Sequence, residues 1–329
     1  MAVTGSGASL QIGKESTWGT AVAGAKIIDF TSESIKLSPD KKVQDSLIAS
    51  KAAPAKDLMG LLAQGDTAFV LRPEYAGFLF KAMLGGTDTV SANTPVTGAH
   101  THTIPLADAN GVLPSYTLII DRKAAIKKYA GCKVASWSLD AKVGDYVKGS
   151  ISWMGKDESA GTLASLSPLA LQAFKVVSAI CTIGGTSYDV KSVSLKGDNK
   201  LEDVGQTFAS GLYHLEPIHG QRELTVDVEM NYDSAVETLH DNYSITGTVI
   251  NSIVIVLKSP SIVTGSTQYQ VTLTINNVSA TVERGISGTG LVTAKLSGSP
   301  TSVGATEPVM IDGDLRTMTM ELITVPVML

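Results

Sequence analysis

Two cysteines occur in 329 residues, Cys132 and Cys181, so a disulfide framework is excluded. They fall at non-equivalent places in the pattern described below, and each reads as a buried thiol made in a reducing compartment. Aromatic residues are only 5% of the chain, and its three tryptophans, Trp18, Trp137 and Trp153, are scattered, which leaves no aromatic platform for a carbohydrate. No uninterrupted apolar run is long enough to span a bilayer. Met1 to Leu10 lacks the charged start and apolar centre of a secretory leader. A basic surplus is missing too, with 26 Lys and Arg against 31 Asp and Glu and a net charge of −5. Proteins that grip nucleic acid through its phosphates carry a basic footprint. The nearest feature, Arg122-Lys123 with Lys127-Lys128, reads as a solvated loop.

What is abundant points to strands. Thirty-one glycines, with many Val, Thr and Ser, suit short strands joined by turns and predict little helix. At 34.3 kDa with 43% hydrophobic residues the chain can bury two modest cores, one per domain of ordinary size. Ile35-Lys36-Leu37-Ser38-Pro39-Asp40-Lys41-Lys42-Val43-Gln44-Asp45 reappears without a gap as Val193 to Asp203, a spacing of 158 residues. Apolar positions match apolar ones, and Asp40, Lys42 and Asp45 match Asp198, Lys200 and Asp203. The expected organisation is a first domain over 1–160, a linker over 161–173 and a second domain over 174–329.

Later elements recur in the same order. Asp66 to Leu71 and Glu223 to Met230 read as half-buried strands; in the latter, Leu224, Val226, Val228 and Met230 alternate with polar residues. Each precedes a helix. Glu74 to Leu84 carries Tyr75, Phe78, Leu79, Ala82 and Met83 on one face, with Pro73 ahead and Gly85-Gly86 behind. Asp233 to His240 is shorter, with Asp233 as N-cap. Third strands follow at Tyr116 to Asp121 and Ile253 to Lys258, then hairpins over Val134 to Met154 and Val271 to Leu296. In these hairpins Ala141 to Val143 is matched with Ala280 to Val282, and Ile151-Ser152 with Leu296-Ser297. Lys156 to Ala173 reads as a linker with a helical turn near Pro168 to Phe174, and Pro308 to Leu329 as a terminal strand closing the second domain.

Reactive constellations are sparse. His100-Thr101-His102 puts two imidazoles on one face of an extended segment, but no third ligand is near, and His214, Glu216 and His219 lie in a separate loop. Polar loop histidines are the preferred reading. Gly5-Ser6-Gly7 has neither the strand before nor the helix after that a phosphate cradle needs. Gly285 to Gly290 reads as a hairpin tip, since no strand-to-helix elbow surrounds Ser287. No catalytic residue, metal or cofactor is assigned.

The arm Leu10 to Val22, the segment Phe30 to Ile35, the helix Tyr75 to Gly86, the strand His100 to Ile104, and Tyr129 to Val134 leading to Trp153-Met154-Gly155-Lys156 together resemble the tail tube proteins of long-tailed, siphovirus-like bacteriophages. The resemblance implies tandem β-sandwich domains with a flanking helix, ring-shaped oligomers, and rings stacked into a tube in the virion that the genome crosses without specific binding. It implies partners as well: further copies of the chain, a tape measure protein, a tail terminator and distal tail proteins, and synthesis in the host cytoplasm. No catalytic residues are implied. With two tube domains per chain, three chains would complete a pseudo-sixfold ring; a ring of six chains is the alternative. Four strands per domain in six places give a closed barrel of about 24 strands, on the order of 48 Å across at roughly 4.8 Å spacing and about 40° tilt.

On this reading Ser32 to Val43, Lys191 to Leu201 and the hairpins are wall strands, and Asp40, Asp45, Asp198, Glu202 and Asp203 are wall or rim acids. Contacts between subunits or rings are expected from Met1 to Ile28, Leu47 to Gln64, Thr87 to Pro114 and Gly205 to Gly220, through Ile12, Trp18, Leu58, Leu61, Leu62, Phe208, Leu212 and Tyr213. The competing readings are a surface β-sandwich module for carbohydrate or adhesion, a hydrolase on a β scaffold, and the tube of a contractile injection system.

Overall fold

A computed structural model describes residues 4–43, 55–92, 100–106, 112–264, 267–285, 291–300 and 318–324. The fold is mainly β, with two short helices. In the first half the strands are β1 (Ser9–Lys14), β2 (Lys26–Ile28), β3 (Phe30–Glu33), β4 (Lys36–Val43), β5 (Lys56–Val70), β6 (Thr89–Ala92), β7 (His100–Pro105), β8 (Tyr116–Asp121), β9 (Ile126–Lys142), β10 (Lys148–Gly155) and β11 (Asp157–Ala160). Helix α1 (Pro73–Leu84) lies between β5 and β6. The second half has β12 (Lys175–Ile183), β13 (Thr186–Ser187), β14 (Val190–Asp198), β15 (Leu201–Glu202), β16 (Ile218–His219), β17 (Glu223–Asn231), β18 (Ile250–Thr264), β19 (Thr267–Arg284), β20 (Thr293–Pro300) and β21 (Met318–Thr324), with α2 (Ser234–Leu239) running into a π-helical turn at His240–Ile245.

One antiparallel ladder organises the molecule. β4 pairs with β5, β5 with β10, and β10 with β9. β9 then pairs across the halves with β14, and the order continues through β17 and β20 to β19. The long strands β9 and β19 each serve twice. The first part of β9 carries β8 and β11, and the first part of β19 carries β18 and β21. Further out lie β1 and β2 beyond β8, and β12 beyond β18. Among the described residues the ladder is open, not closed into a barrel: the only strand paired with β4 is β5.

Alternation sets the packing. Along β17, Leu224, Val226, Val228 and Met230 are buried while Glu223, Thr225 and Glu229 are exposed, as period two requires. Tyr116 on β8 meets Trp153 on β10 edge-on at 6.4 Å and Phe78 on α1 at 6.5 Å, so sheet, ladder and helix share a core. Two separate cores were expected. The buried residues instead form one continuous cluster running from Leu10 through Trp137 and Leu195 to Leu296, because the β9–β14 pairing joins the apolar faces of both halves.

Helix α1 has the expected ends. Pro73 opens it, and Gly85 closes it in the left-handed conformation at φ 75°, its N–H donating to the Lys81 carbonyl at 2.9 Å. Asp233 caps α2 by accepting from the Val236 N–H at 2.9 Å.

Four expectations are corrected. The stretch Leu47 to Gln64 is not all loop: β5 begins at Lys56 and pairs with β4 down to Val43. The linker has no helical turn; Asp157–Ala160 is strand β11, and the rest has no regular structure, with a bend at Leu171. There the Ala170 and Leu171 N–H groups donate to Glu74 Oε1, and Phe174 N–H donates to the Leu71 carbonyl. The hairpin matching was displaced. Trp153 and Val134, not residues of the 141–143 and 151–152 stretches, stand on the rung that Leu296 and Val282 occupy in the second half. The terminal strand does not simply close the second half, since β21 bridges β19 to β7 of the first.

Asp157 on β11 has a buried side-chain oxygen without a hydrogen bond, and burial raises its carboxyl above the usual range, only partly offset by Lys156. The charged form is therefore disfavoured in the fold at neutral pH, and the penalty fades as pH falls through the carboxylate range. Asp157→Asn is expected to stabilise the protein by at most about 1 kcal/mol at pH 7 and to be neutral near pH 3. Urea midpoints at both pH values check this; a loss of stability at pH 7 would contradict it.

Candidate functional site

The apolar face of the ladder is spent on the core. Its other face is mostly polar, with Leu62, Ala68 and Val70 on β5 and Met154 on β10 as apolar members. Ser136, Ser138, Asp140 and Lys142 on β9 stand beside Ser192, Ser194, Lys196 and Asp198 on β14, with Glu223, Thr225, Asp227 and Glu229 on β17 beyond. Lys36, Ser38, Asp40, Asp66, Lys148, Ser150 and Ser152 continue it to one side. Ser279, Thr281, Glu283, Thr293, Lys295 and Ser297 continue it to the other. Contacts within the face are short and mostly exposed. Ser152 Oγ donates to Asp66 at 2.5 Å, Ser138 and Ser150 hydroxyls meet at 3.0 Å, Ser192 Oγ donates to Glu229 at 3.1 Å, and Lys295 lies 3.4 Å from Asp227. Such exposed pairs add little stability.

Eight carboxylates on this face, Asp40, Asp66, Asp140, Asp198, Glu223, Asp227, Glu229 and Glu283, outnumber the lysines Lys36, Lys142, Lys148, Lys196 and Lys295. An open hollow of about 570 Å³ lies over Ser194, Lys196, Asp227, Glu229, Glu283 and Lys295. It is wide and open, and the Ser192–Glu229 contact on its wall is an exposed one.

A family model described as phage tail tube protein matches residues 5–316. The chain belongs to the phage tail tube protein family. No curated protein sequence matches it significantly. The tail tube family is a structural one, not normally enzymatic.

Within this tail tube protein the predicted acids divide. Asp40 and Asp198 stand on the polar face, whereas Asp45 lies outside the described residues. Glu202 sits in the separate two-stranded β15–β16 sheet. Asp203 accepts from His214 Nδ1 at 2.7 Å and from the Gly205 N–H at 2.9 Å. Burial acts to raise its carboxyl, but these hydrogen bonds outweigh burial and hold it below the usual range. Glu202 and Asp203 therefore leave the ladder, because Lys200 turns the chain at φ 47° just after β14.

Several predicted contact residues are used inside the chain. Ile12 is fully buried between β2 and β8. Trp18 Nε1 donates to the Gly131 carbonyl at 3.0 Å, and its ring lies 5.1 Å from the Lys156 ammonium. The N-terminal arm thus folds onto its own half, held by Glu15, which accepts from Thr117 Oγ1 at 2.7 Å and from the Gly131 and Gly19 N–H groups at 2.9 Å. Leu61, Leu212 and Tyr213 meet one another: the Leu61 N–H donates to the Leu212 carbonyl at 2.8 Å, and Tyr213 bridges to Leu61. Leu62 is half-buried, Leu58 is exposed, and Phe208 is fully exposed at the tip of its loop.

Sequence reasoning missed the latch that holds this loop. Lys133, 3% exposed, pairs with Glu216 at 2.7 Å and donates to the Pro217 carbonyl at 3.2 Å. Asn199 Nδ2 donates to the carbonyls of Val134 at 2.9 Å and Met83 at 3.2 Å, and Arg222 donates to Leu84 at 3.2 Å. A lysine at the centre of the apolar run Ala130 to Val134 was the available signal. The histidines do not converge. His102 meets Asp88 at 3.0 Å and His214 meets Asp203, while the side chain of His100 is outside the described set. Both cysteines are free and buried, and burial pushes the Cys181 thiol up to about 12.

Proposed function

We propose that the chain is a structural virion protein with two tandem tube domains, 1–160 and 174–329 joined by 161–173, and that three copies form a pseudo-sixfold ring. Rings stack into a siphovirus-like tail tube, and DNA passes through the channel on ejection. The polar face of the ladder lines that channel. The observation that carries the reading is the pairing order itself. β4, β5, β10 and β9 are followed by β14, β17, β20 and β19, so one chain supplies eight consecutive wall strands with one wet face.

The stagger of the ladder supports closure. The rung of Leu37 passes through Ala63 and Gly155 to the level of Cys132 on β9, whereas its counterpart Leu195 meets β9 at Leu139. Allowing for the bulge near Trp153, the stagger is roughly six residues per four strands. At ~3.3 Å per residue and ~4.8 Å per strand this is a tilt of about 45°, close to that of closed barrels. Closure also covers the open edge that would otherwise invite random pairing.

The mildly acidic wall suits a conduit. Like charge repels phosphates over a Debye length of about 8–10 Å, and exposed hydroxyls keep the surface hydrated. Ring-to-ring contact falls to the exposed parts, Phe208 and Leu58 with the segments near them, and the tube ends meet tape measure, terminator and distal tail proteins. The purified protein, made in the cytoplasm of a host cell, should form rings or tubes by negative stain, with threefold or pseudo-sixfold class averages. A particle that stays monomeric at high concentration with tail-initiating proteins present would overturn the reading.

A further inference from the structure

The β9–β14 seam inside the chain dictates, residue by residue, the seam between chains. In it Asp198 lies opposite Ser136, Lys196 opposite Ser138 and Leu195 opposite Leu139. The Asn199 N–H donates to the Ala135 carbonyl and the Val143 N–H to the Lys191 carbonyl. Alternation from those two ends makes Lys196 and Ser138 a non-hydrogen-bonded pair, the closer kind.

Each partner in this seam has a counterpart with an edge that no strand covers among the described residues. On the rungs that run through β17 and β5, Leu195 corresponds to Leu37, and Lys196 to Ser38. On the rungs that run through β10 and β20, Ser136, Trp137 and Ser138 correspond to Glu283, Arg284 and Gly285. Among the described residues no strand pairs with β4 on the edge where β14 holds β9, and the Leu37 N–H there donates to the Glu158 carboxylate of β11. On β19, the edge that carries β18 loses it after Val278, and the Val282 N–H there is capped by Ser244 Oγ at 2.7 Å. The strand end beyond Val282 is where β9 holds β14. By the same alternation the missing N–H of Pro39 faces outward, so no bond to β5 is lost, and a strand added at this edge makes one hydrogen bond at the Pro39 rung instead of two.

Resting on the tube reading, we infer that β4 of one chain pairs antiparallel with the Glu283–Gly285 end of β19 in a second copy, with Ser38 opposite Gly285, Pro39 opposite Arg284 and Asp40 opposite Glu283. Pro39 and Arg284 then hold the places of Gly197 and Trp137. This fixes the register of ring closure and gives all six seams of a ring the same rungs, three within chains and three between them.

The test is cysteine cross-linking of assembled rings or tubes. Cβ atoms of a non-hydrogen-bonded pair lie within disulfide reach, and native Cys132 and Cys181 are buried. Under mild oxidation Ser38→Cys/Gly285→Cys should convert most of the protein to covalent dimers and trimers on a non-reducing gel. Lys36→Cys/Gly285→Cys, two residues out of register on the same face, should give several-fold less. Ser138→Cys/Lys196→Cys, on the equivalent rung inside the chain, should cross-link within the monomer and serves as the standard. Rings in which the in-register pair stays monomeric, or the slipped pair links better, would overturn the register while leaving the tube reading intact; absence of rings from the unmodified protein would overturn the tube reading instead. Should the cysteine variants not assemble, hydrogen exchange on unmodified tubes decides. The peptide spanning Val282–Gly285, whose Arg284 N–H faces the open edge by the same alternation as Val282, must be protected relative to the unassembled chain, and unchanged exchange there sinks the seam.

Discussion

Gly197→Val is expected to cost about 2–4 kcal/mol and to loosen the two halves of the chain from each other. A Cβ at Gly197 would lie 2.3 Å from Trp137 Cε2 and 2.4 Å from Trp137 Nε1, far inside contact distance, and the two residues are directly opposed across β9 and β14. Trp137 is 6% exposed, and its ring occupies the space over the glycine. Valine must either expel the indole from the core or force the strands apart. Overpacking costs ~1–3 kcal/mol, and losing a large aromatic side chain from a core ~3–5. Gly5→Ala, where nothing lies within 4 Å of the new Cβ, is the control and should be silent. The check is a denaturant titration with limited proteolysis across 161–173. If Gly197→Val unfolds at the wild-type midpoint, Trp137 is not held as described.

The second large effect concerns charge. Asp140→Lys, Asp227→Lys and Glu229→Lys in one chain should turn a surface that DNA passes into one that holds it. All three lie on the polar face, and their present contacts, Lys295 with Asp227 at 3.4 Å and Ser192 with Glu229 at 3.1 Å, are exposed ones of the kind worth ~0–1 kcal/mol. Folding should therefore survive. With the proposed three chains per ring, about nine new cations would face the bore, and a surface contacting six to ten phosphates loses roughly 10³- to 10⁵-fold in affinity between about 50 and 200 mM salt. Variant tubes should retain DNA at low salt and release it steeply as salt rises, and particles carrying them should eject slowly. Wild-type tubes should retain none. Equal retention by tubes with lysines at Thr207 and Ser210, on the exposed loop away from this face, would remove the special role of the ladder.

Local structure was legible where local chemistry sets it. Pro73 and Gly85 bound α1, Asp233 caps α2, and alternation marks β17 and the long hairpins. β8 spans Tyr116–Asp121, the span its β-branched run predicts. The first part of β5 was not readable, because Leu58-Met59-Gly60-Leu61-Leu62 has no period of two. Pairing with β4, with a bulge at Asp40/Lys41, makes it a strand regardless. Gly65 marks the break between β3 and β4. At φ 153° a Cβ there would meet the Ile35 Cα at 2.5 Å, a close backbone approach whose reason appears only when Ile35 is beside it. The site divides in the same way. Asp40 and Asp198 were found by the repeat, while Asp66, Asp140, Asp227, Glu229 and Glu283 were passed over as single acids on separate strands. The Lys133–Glu216 pair joins residues whose approach no spacing could announce.

The sequence by itself determined that the strands would have one apolar and one polar side, because side-chain direction alternates along any extended chain, whatever lies beside it. It also carried the matched segments Ile35 to Asp45 and Val193 to Asp203. Only the tertiary structure decided that β9 lies against β14, that the two apolar faces merge into one core, and that the polar sides line up as one surface. Backbone hydrogen bonds do not encode their partner, and neighbours in a sheet are chosen by the burial that a whole register achieves.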